Sequence, residues 1–572
     1  MRAAFLMIAV SIFAAAARAQ TPPLTEAVHH PNAGRGGMVA AEEKLAAAAG
    51  AEILGRGGNA VDAAVATAFA LAVTYPAAGN LAGGGFMLVY DAETGETTAI
   101  DYRETAPAAA SRDMYLGADG KLDTDLILYT HKSAGVPGTV AGLLHAQKKF
   151  GKLSRKEVMA PAIRLAGKGY VLSYFAAAML EAGREDLTRD AASAAEFFMP
   201  DGSGYLPGER FRRRDLAKVL KTIAREGRDG FYKGWVADAI ADDMAAHGGL
   251  ITREDLAGYA VVEREAVRGT YRGYEIVAMP PPSSGGVHLI EMLNMLERKP
   301  PHASEGDSAD SLHFLVETMR RAYADRAALL GDPDFVDVPT AELISKTYAA
   351  RRAADIDPNR ATPSSSVRAG DPGREESPDT THISVIDRDG NMVSNTFTLN
   401  LSYGSGIVVP GTGLLLNNEM DDFAAAPGQP NYYGLVGEEK NAIAAGKRPL
   451  SSMTPAFVFK DGKPFMAVGA PGGARIITSV LQVILNVIDR GMNIGDAVDN
   501  PRVHHQWLPD RILYEPGLSD DTKARLEAMG HSLAPIDWHA RPQVVLAEDG
   551  WFYGYTDERT PGGGACSPDG GC

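Results

Sequence analysis

The chain has 572 residues, 45% hydrophobic and 22% charged, which excludes a disordered or low-complexity protein and leaves room for a large buried core. A formal net charge of −16 argues against nucleic acid or an anionic membrane surface as partner, though not against a local basic pocket for a small anion. The two cysteines, Cys566 and Cys572, form no zinc-type cluster with histidine.

The N-terminus, MRAAFLMIAVSIFAAAARAQ, has Arg2 as positive flank, an apolar run from Ala3 to Ala17 and the small-x-small site Ala17-Arg18-Ala19. This is the pattern of a signal peptide over residues 1–19, and the run falls short of the ~20 apolar residues a transmembrane helix needs. No later stretch is long and apolar enough to span a bilayer. The mature chain is therefore expected to be exported, to a periplasm or beyond, without a membrane anchor. Lys44 to Val73 is Ala-rich with a helical period, interrupted by Asn59 and Asp62. Asn80 to Tyr90 (NLAGGGFMLVY) is a glycine loop entering a strand. It fits neither a P-loop nor a dinucleotide fingerprint, because no Lys-Ser/Thr follows and a strand comes next, so the glycines are expected to serve close backbone packing. Thr97 to Arg103 reads as a further strand ending on an arginine, and residues 140–260 are mainly helical in pattern. Pro280 to Gly286 (PPPSSGG) is a rigid turn before a helix, with Ser283 or Ser284 as the expected cap. Ser311 to Leu330 has an amphipathic helical pattern. His29-His30 and His504-His505 are adjacent pairs whose side chains point to opposite faces of a strand. They are read as structural or surface residues, and neither a metal site nor a cofactor is expected.

From Arg352 to Asp379 the chain turns polar and rich in Pro, Ser, Asp and Arg, which marks a linker. It ends at Thr380, where the texture changes to strands. Ile383–Ile386 and Met392–Thr398 flank Asp387-Arg-Asp-Gly-Asn391, the pattern of a hairpin. A three-residue loop centred on Asp389 sets Thr380 opposite Thr398. A two-residue Asp-Gly turn sets Leu399 there instead, and such a slip moves side chains to the other face; the sequence leaves both open. The Gly/Pro/Ser-rich tail over 560–572 is expected to be mobile, although export permits a disulfide between Cys566 and Cys572.

Several short motifs recur here in a fixed order. Asn59-Ala-Val-Asp62, Gly83-Gly-Gly85, Asp101-Tyr-Arg-Glu104 and Pro282-Ser-Ser-Gly-Gly286 come first. Asp379-Thr-Thr-His-Ile-Ser384, Thr396-Phe-Thr-Leu-Asn400, Gly404-Ser-Gly406, Leu416-Asn-Asn-Glu-Met-Asp-Asp-Phe423, Lys447-Arg-Pro-Leu-Ser-Ser-Met-Thr-Pro455 and Gly469-Ala-Pro-Gly-Gly-Ala-Arg475 follow. Spread over about Ala40 to Asp557, this set resembles the γ-glutamyltransferase family of N-terminal-nucleophile hydrolases. The resemblance implies an α/β fold, an αββα four-layer sandwich. It also implies self-cleavage between Asp379 and Thr380, leaving a large subunit (20–379) and a small one (380–572) as two chains of one folded unit.

Thr380 would be the nucleophile. An alkyl hydroxyl needs a base, and a backbone α-amine, with a reference pKa of ~7.7–8.0, can serve as one. That amine exists only when the threonine begins the chain, so cleavage creates base and free nucleophile together. By family position, Thr398 would support the Thr380 hydroxyl. Gly472 and Gly473 would offer oxyanion N–H groups unobstructed by Cβ. The donor would be glutathione or another γ-glutamyl amide. Arg103 would hold its α-carboxylate in a bidentate fork, with hydroxyls from Ser451 and Ser452. Asp422, Glu419 and Asn400 would meet the α-ammonium; some members carry Gln where this chain has Glu419. The loop Pro427–Ala442, with Tyr433 as its aromatic tip, matches a lid. The implied reaction is a ping-pong transfer through acyl-Thr380 to water, an amino acid or a peptide. One rival is a cephalosporin or glutaryl acylase, which shares the nucleophile but binds a side chain without an α-amine; Asp422 and Glu419 argue against it. Another is a catalytically silent periplasmic binding protein, against which Thr380, Thr398 and Gly472-Gly473 argue.

Overall fold

The two strands that flank the Asp387–Asn391 turn, Thr381–Asp387 and Met392–Thr398, are buried at every position, polar residues included. The computed structural model describes residues 27–299, 307–367, 380–429, 431, 435, 437–559 and 561–572. Within it, two seven-stranded antiparallel sheets lie face to face. Numbering the strands of these sheets alone, they are β1 (Asn32–Gly34), β2 (Gly37–Ala41), β3 (Gly84–Asp91), β4 (Glu96–Tyr102), β5 (Val262–Glu265), β6 (Val267–Tyr271), β7 (Tyr274–Ala278), β8 (Thr381–Asp387), β9 (Met392–Thr398), β10 (Ala456–Lys460), β11 (Lys463–Gly469), β12 (Gln543–Glu548), β13 (Trp551–Thr556) and β14 (Gly564–Cys566). The first sheet has the order β14-β2-β8-β9-β3-β4-β5 and the second β1-β13-β12-β11-β10-β7-β6. Helices α1 (Lys44–Gly55) and α2 (Ala60–Thr74) cover the first sheet. Helices α3 (Gly285–Leu296), α4 (Ala309–Leu329) and α5 (Arg475–Ile488) belong to the layer on the second. This is the αββα sandwich the motifs imply.

Strand alternation sets which side chains enter the gap between the sheets. On β8, Ile383 and Val385 join the core under α1 and α2, while His382 and Ser384 face the second sheet. There the Ser384 hydroxyl donates to the Gln543 carbonyl at 3.0 Å, and Gly469 makes room for the His382 ring, which an added Cβ would meet at 2.2 Å. On β9 the Ser394 hydroxyl donates across the gap to Val468 at 3.0 Å. Period two then directs Thr380 and Thr398 into the same gap, at the end where it opens.

Four expectations change. The helical stretch 44–73 is two helices, because Asn59 caps α2 and its N3 residue Asp62 completes a capping box. Ser284 makes no side-chain cap to α3; both Ser283 and Ser284 turn instead toward residues 451–453. The linker is docked as far as it is described: the Ser364 N–H donates to Asp510 at 2.7 Å, and its carbonyl accepts from the Trp507 indole at 3.0 Å. Residues 561–572 are not a mobile tail. β14 pairs with β2, Cys566 lying opposite Val39, Cys566 and Cys572 form a disulfide, and Asp569 accepts the N–H groups of Arg35 and Gly36. The glycines serve close approach, since a Cβ on Gly564 would sit 2.8 Å from Lys44 Cα. The signal-peptide segment, Asp379 and Tyr433 lie outside the described residues. Among the described residues no helix is long and apolar enough to cross a membrane.

Candidate active site

The β8–β9 hairpin has the three-residue loop. Thr381 pairs with Phe397 and Ile386 with Met392, so Thr380 falls opposite Thr398. Asp387 chooses this turn, its carboxylate accepting the N–H of Asp389 at 2.9 Å and of Asn391 at 3.0 Å. The same side chain accepts the Ala60 N–H at the start of α2 at 2.9 Å, which fastens the hairpin to the helix layer.

The glycine loop does what its composition predicts. A Cβ on Gly83 would lie 2.0 Å from the Thr398 carbonyl and one on Gly85 2.3 Å from that of Thr396. Asn80 donates to the Thr398 carbonyl at 2.8 Å. The end of β9 is thus held by backbone contact. Beyond it Asn400 turns back with φ +78°, and its N–H donates to Thr398 Oγ1 at 2.9 Å.

A cleft opens at this end of the sandwich. It gathers Thr380, Thr398, Asn400, Glu419, Asp422, Ser451, Ser452 and Gly473, residues scattered over the last third of the chain. Thr380 is 5% exposed. Gly473 and its neighbour Gly472 have φ +55° and +139°. Gly472 stands beside the cleft rather than on its wall, with room for a Cβ denied by Ala540 Cβ at 2.7 Å. Tyr433 and Asp379, outside the described residues, have no assigned place. Three contributors escape the sequence reading. Arg326 of α4 lines the cleft. Asn417 braces the acidic segment, its side-chain oxygen accepting the N–H groups of Gly135 at 2.8 Å and Glu419 at 3.0 Å. Glu104 is buried next to Arg103. Asn417 and Glu104 do lie inside quoted motifs; a buried amide or acid within an otherwise tight loop is the signal that could have found them.

The gamma-glutamyltranspeptidase family model matches residues 46–567. The chain belongs to this family. It is 47% identical over 559 residues to the glutathione hydrolase proenzyme of Escherichia coli (strain K12), covering 97% of this chain and 96% of that one. Among solved structures, the cephalosporin acylase from Bacillus halodurans superposes with TM-score 0.83 at 30% identity, over 94% of this chain and 96% of that one. The γ-glutamyltranspeptidase of Helicobacter pylori is 45% identical and has a TM-score of 0.56, over 57% of this chain and 93% of that chain.

In this family member the charges form one cluster. Arg103, completely buried, donates to both Glu419 and Asp422, the acids expected at the opposite end of the substrate. Glu104 lies 3.7 Å from the same guanidinium. Arg103 is therefore not open to the cleft here, and a substrate carboxylate reaches it only if one acid turns away. Two of the acids around this one cation retain protons: burial, with Asp422 nearby, pushes Glu104 up to about 7, and burial pushes Glu419 well above the carboxylate range. The sign follows from proton counts. For Glu104 the folded chain holds a proton that the unfolded chain releases between its ordinary value of 4.5 and about 7, so this contribution to stability is complete below that window and is lost as pH rises through it. Glu419→Gln is neutral at every pH and is expected to soften the decline. Its melting temperature should exceed that of the native sequence by about 2 °C or more at pH 8 and approach it near pH 4.5; a constant difference across that range would contradict a proton held at this cluster.

Proposed function

We propose that the protein is a self-processing γ-glutamyltransferase and glutathione hydrolase, exported to the periplasm and matured into residues 20–379 and 380–572 as two chains of one folded unit. The observation that carries the reading is the two-signed cleft around Thr380. Its lining includes Ser451, Ser452 and Arg326 together with the acids Glu419 and Asp422. A γ-glutamyl group carries an α-carboxylate and an α-ammonium and answers both; a glutaryl side chain answers only the first.

The chemistry proceeds in two acyl transfers. In maturation Thr380 Oγ attacks the Asp379 carbonyl; the acyl group passes from nitrogen to oxygen, which breaks the C–N bond and frees the Thr380 amine, and water then hydrolyses the ester to release the Asp379 carboxylate and the Thr380 hydroxyl. In turnover that amine takes the hydroxyl proton while Oγ attacks the γ-carbonyl. The oxyanion is met by the N–H groups of Gly472 and Gly473. Collapse expels the donor amine, which takes the proton, and leaves the γ-glutamyl ester on Thr380. Water, an amino acid or a peptide then attacks the ester, with the amine again as base. The Thr398 hydroxyl, held by Asn400, steadies Oγ. Tyr433 belongs to the proposed lid.

Turnover of γ-glutamyl-p-nitroanilide against glutaryl-p-nitroanilide tests this. The γ-glutamyl amide is expected to lead in kcat/KM by about 10²-fold or more, since the glutaryl compound brings no ammonium to Glu419 and Asp422. Equal or faster glutaryl turnover would make the protein a glutaryl acylase, and inertness to both would leave the silent binding protein.

A further inference from the structure

The stretch Pro282-Ser-Ser-Gly-Gly286 leads into α3 without a side-chain cap and is not part of the cleft wall, yet all its residues are buried. It lies against the segment that carries Ser451 and Ser452. Ser283 pairs with Ser451 as an isolated bridge. The Ser451 N–H donates to Pro282 at 2.9 Å, and the Ser284 N–H to Ser451 at 2.8 Å. Gly285 permits the contact, since a Cβ there would lie 2.4 Å from the Met453 carbonyl.

Arg326 completes the arrangement from α4. It is 4% exposed. Its Nε donates to Ser284 Oγ at 3.0 Å and its Nη2 to Ser452 Oγ at 3.1 Å. Ser284 in turn donates its hydroxyl proton to the Ser451 carbonyl at 2.7 Å. A serine hydroxyl has one proton and two lone pairs, whereas a guanidinium only donates. Ser452 Oγ is therefore an acceptor toward Arg326, and its proton must point elsewhere. Ser451 Oγ accepts the Met453 N–H at 3.1 Å, so its proton is directed away from that bond too. Both hydroxyls line the cleft beside Thr380. Arg326 sets the direction of the bonds through the Ser284 and Ser452 hydroxyls, and the Met453 N–H sets that of Ser451 Oγ.

We infer that Arg326 and Ser284 form a clamp that sets the Ser451 and Ser452 hydroxyls as a pair of donors to the substrate's α-carboxylate. They are positioning residues that govern specificity for that carboxylate. This rests on the proposed γ-glutamyl activity. Without Arg326 the Ser452 hydroxyl is free to turn and spend its proton on protein, and without the Ser284 hydroxyl the Ser451 backbone loses a tie.

The experiment uses the processed protein, its Arg326→Met, Arg326→Lys and Ser284→Ala variants, and two chromogenic amides. γ-Glutamyl-p-nitroanilide has both α-groups; 4-aminobutyryl-p-nitroanilide keeps the amine and lacks the carboxylate. Arg326→Met and Ser284→Ala are each expected to raise KM for the γ-glutamyl amide about tenfold, the scale of one hydrogen bond to a charged group, with kcat altered less. The ratio of kcat/KM between the two amides should fall by about the same factor. Arg326→Lys keeps the charge without the fork and should recover only part of the ratio. Losses equal for both amides, or an unchanged ratio, overturn the clamp. If Arg326→Met is not processed, Ser284→Ala, which leaves the charge in place, decides alone by the same ratio. A native sequence inert toward γ-glutamyl-p-nitroanilide overturns the functional reading and the clamp with it, whereas an active one with losses independent of substrate overturns the clamp alone.

Discussion

Thr380→Ala is expected to yield a single uncut polypeptide without turnover. The side chain starts the inner strand of the central hairpin, faces the gap between the sheets and shares a cleft with Gly473 and Thr398. Removing its hydroxyl takes away the atom that would cut the precursor, and an uncut precursor never exposes the α-amine that would act as base. The two losses therefore arrive together. Turnover should fall by on the order of 10⁴-fold or more, as when the nucleophile of a serine protease is deleted. Thr380→Ser keeps an oxygen at the same place and should retain both activities at reduced rate. Thr381→Ala is the control. Thr381 points to the helix side of the sheet, and its hydroxyl has no hydrogen-bond partner among the described residues, so its loss should leave cleavage intact. A denaturing gel with N-terminal sequencing of the smaller chain reads all three. Normal cleavage of Thr380→Ala, or a small chain that begins anywhere but Thr380, would remove Thr380 from the mechanism.

How far such a site can be read from sequence depends on where its bonds run. Residues inside short motifs were legible, because a family resemblance transfers them position by position; eight of the site residues so assigned meet in the cleft. Strand periodicity left the hairpin register open, because it is set by the carboxylate of Asp387 bonding its own turn, and only the family position of Thr398 favoured the three-residue loop. Arg326 was hidden in a helix whose pattern reads as amphipathic. Its charged residues look solvent-facing, yet Arg320, Arg321 and Arg326 are all buried with partners contributed by distant segments: Ser364 and Asp510 for the first, Asp355 for the second, Ser284 and Ser452 for the third. Ser284 misled in the same way. A serine between a turn and a helix reads as a cap, but a strand-like partner at Ser451 took both its N–H and its hydroxyl proton. The tail misled by composition, since glycines that fit against α1 and β2 look the same in sequence as glycines that merely loosen a chain.

Arg103→Met is expected to damage binding and stability at once, and pH separates the two. The guanidinium is the cation that Glu104, Glu419 and Asp422 share. Breaking a buried ion pair by removing one partner costs about 3–5 kcal/mol, because the charge left behind has neither water nor counter-ion. Acids can escape that cost by taking up protons, which is easier at pH 5 than at pH 8. The variant should therefore melt well below the native sequence at pH 8 and much closer to it at pH 5. Adding Glu419→Gln removes one orphaned charge and should return part of the loss at pH 8, a coupling expected only of residues in one network. Substrate binding should not recover in that double variant. Whether Arg103 meets the α-carboxylate itself or only fixes the acids that meet the α-ammonium, γ-glutamyl-p-nitroanilide loses a charge-assisted contact, and kcat/KM is expected to drop about 10²- to 10³-fold. Melting curves at the two pH values, taken with steady-state kinetics, check both halves. Equal destabilisation at pH 5 and pH 8 would mean that the three carboxylates do not depend on Arg103 for their charge. Native kinetics in the variant would mean that the cluster, however it is held together, has no part in recognising the substrate.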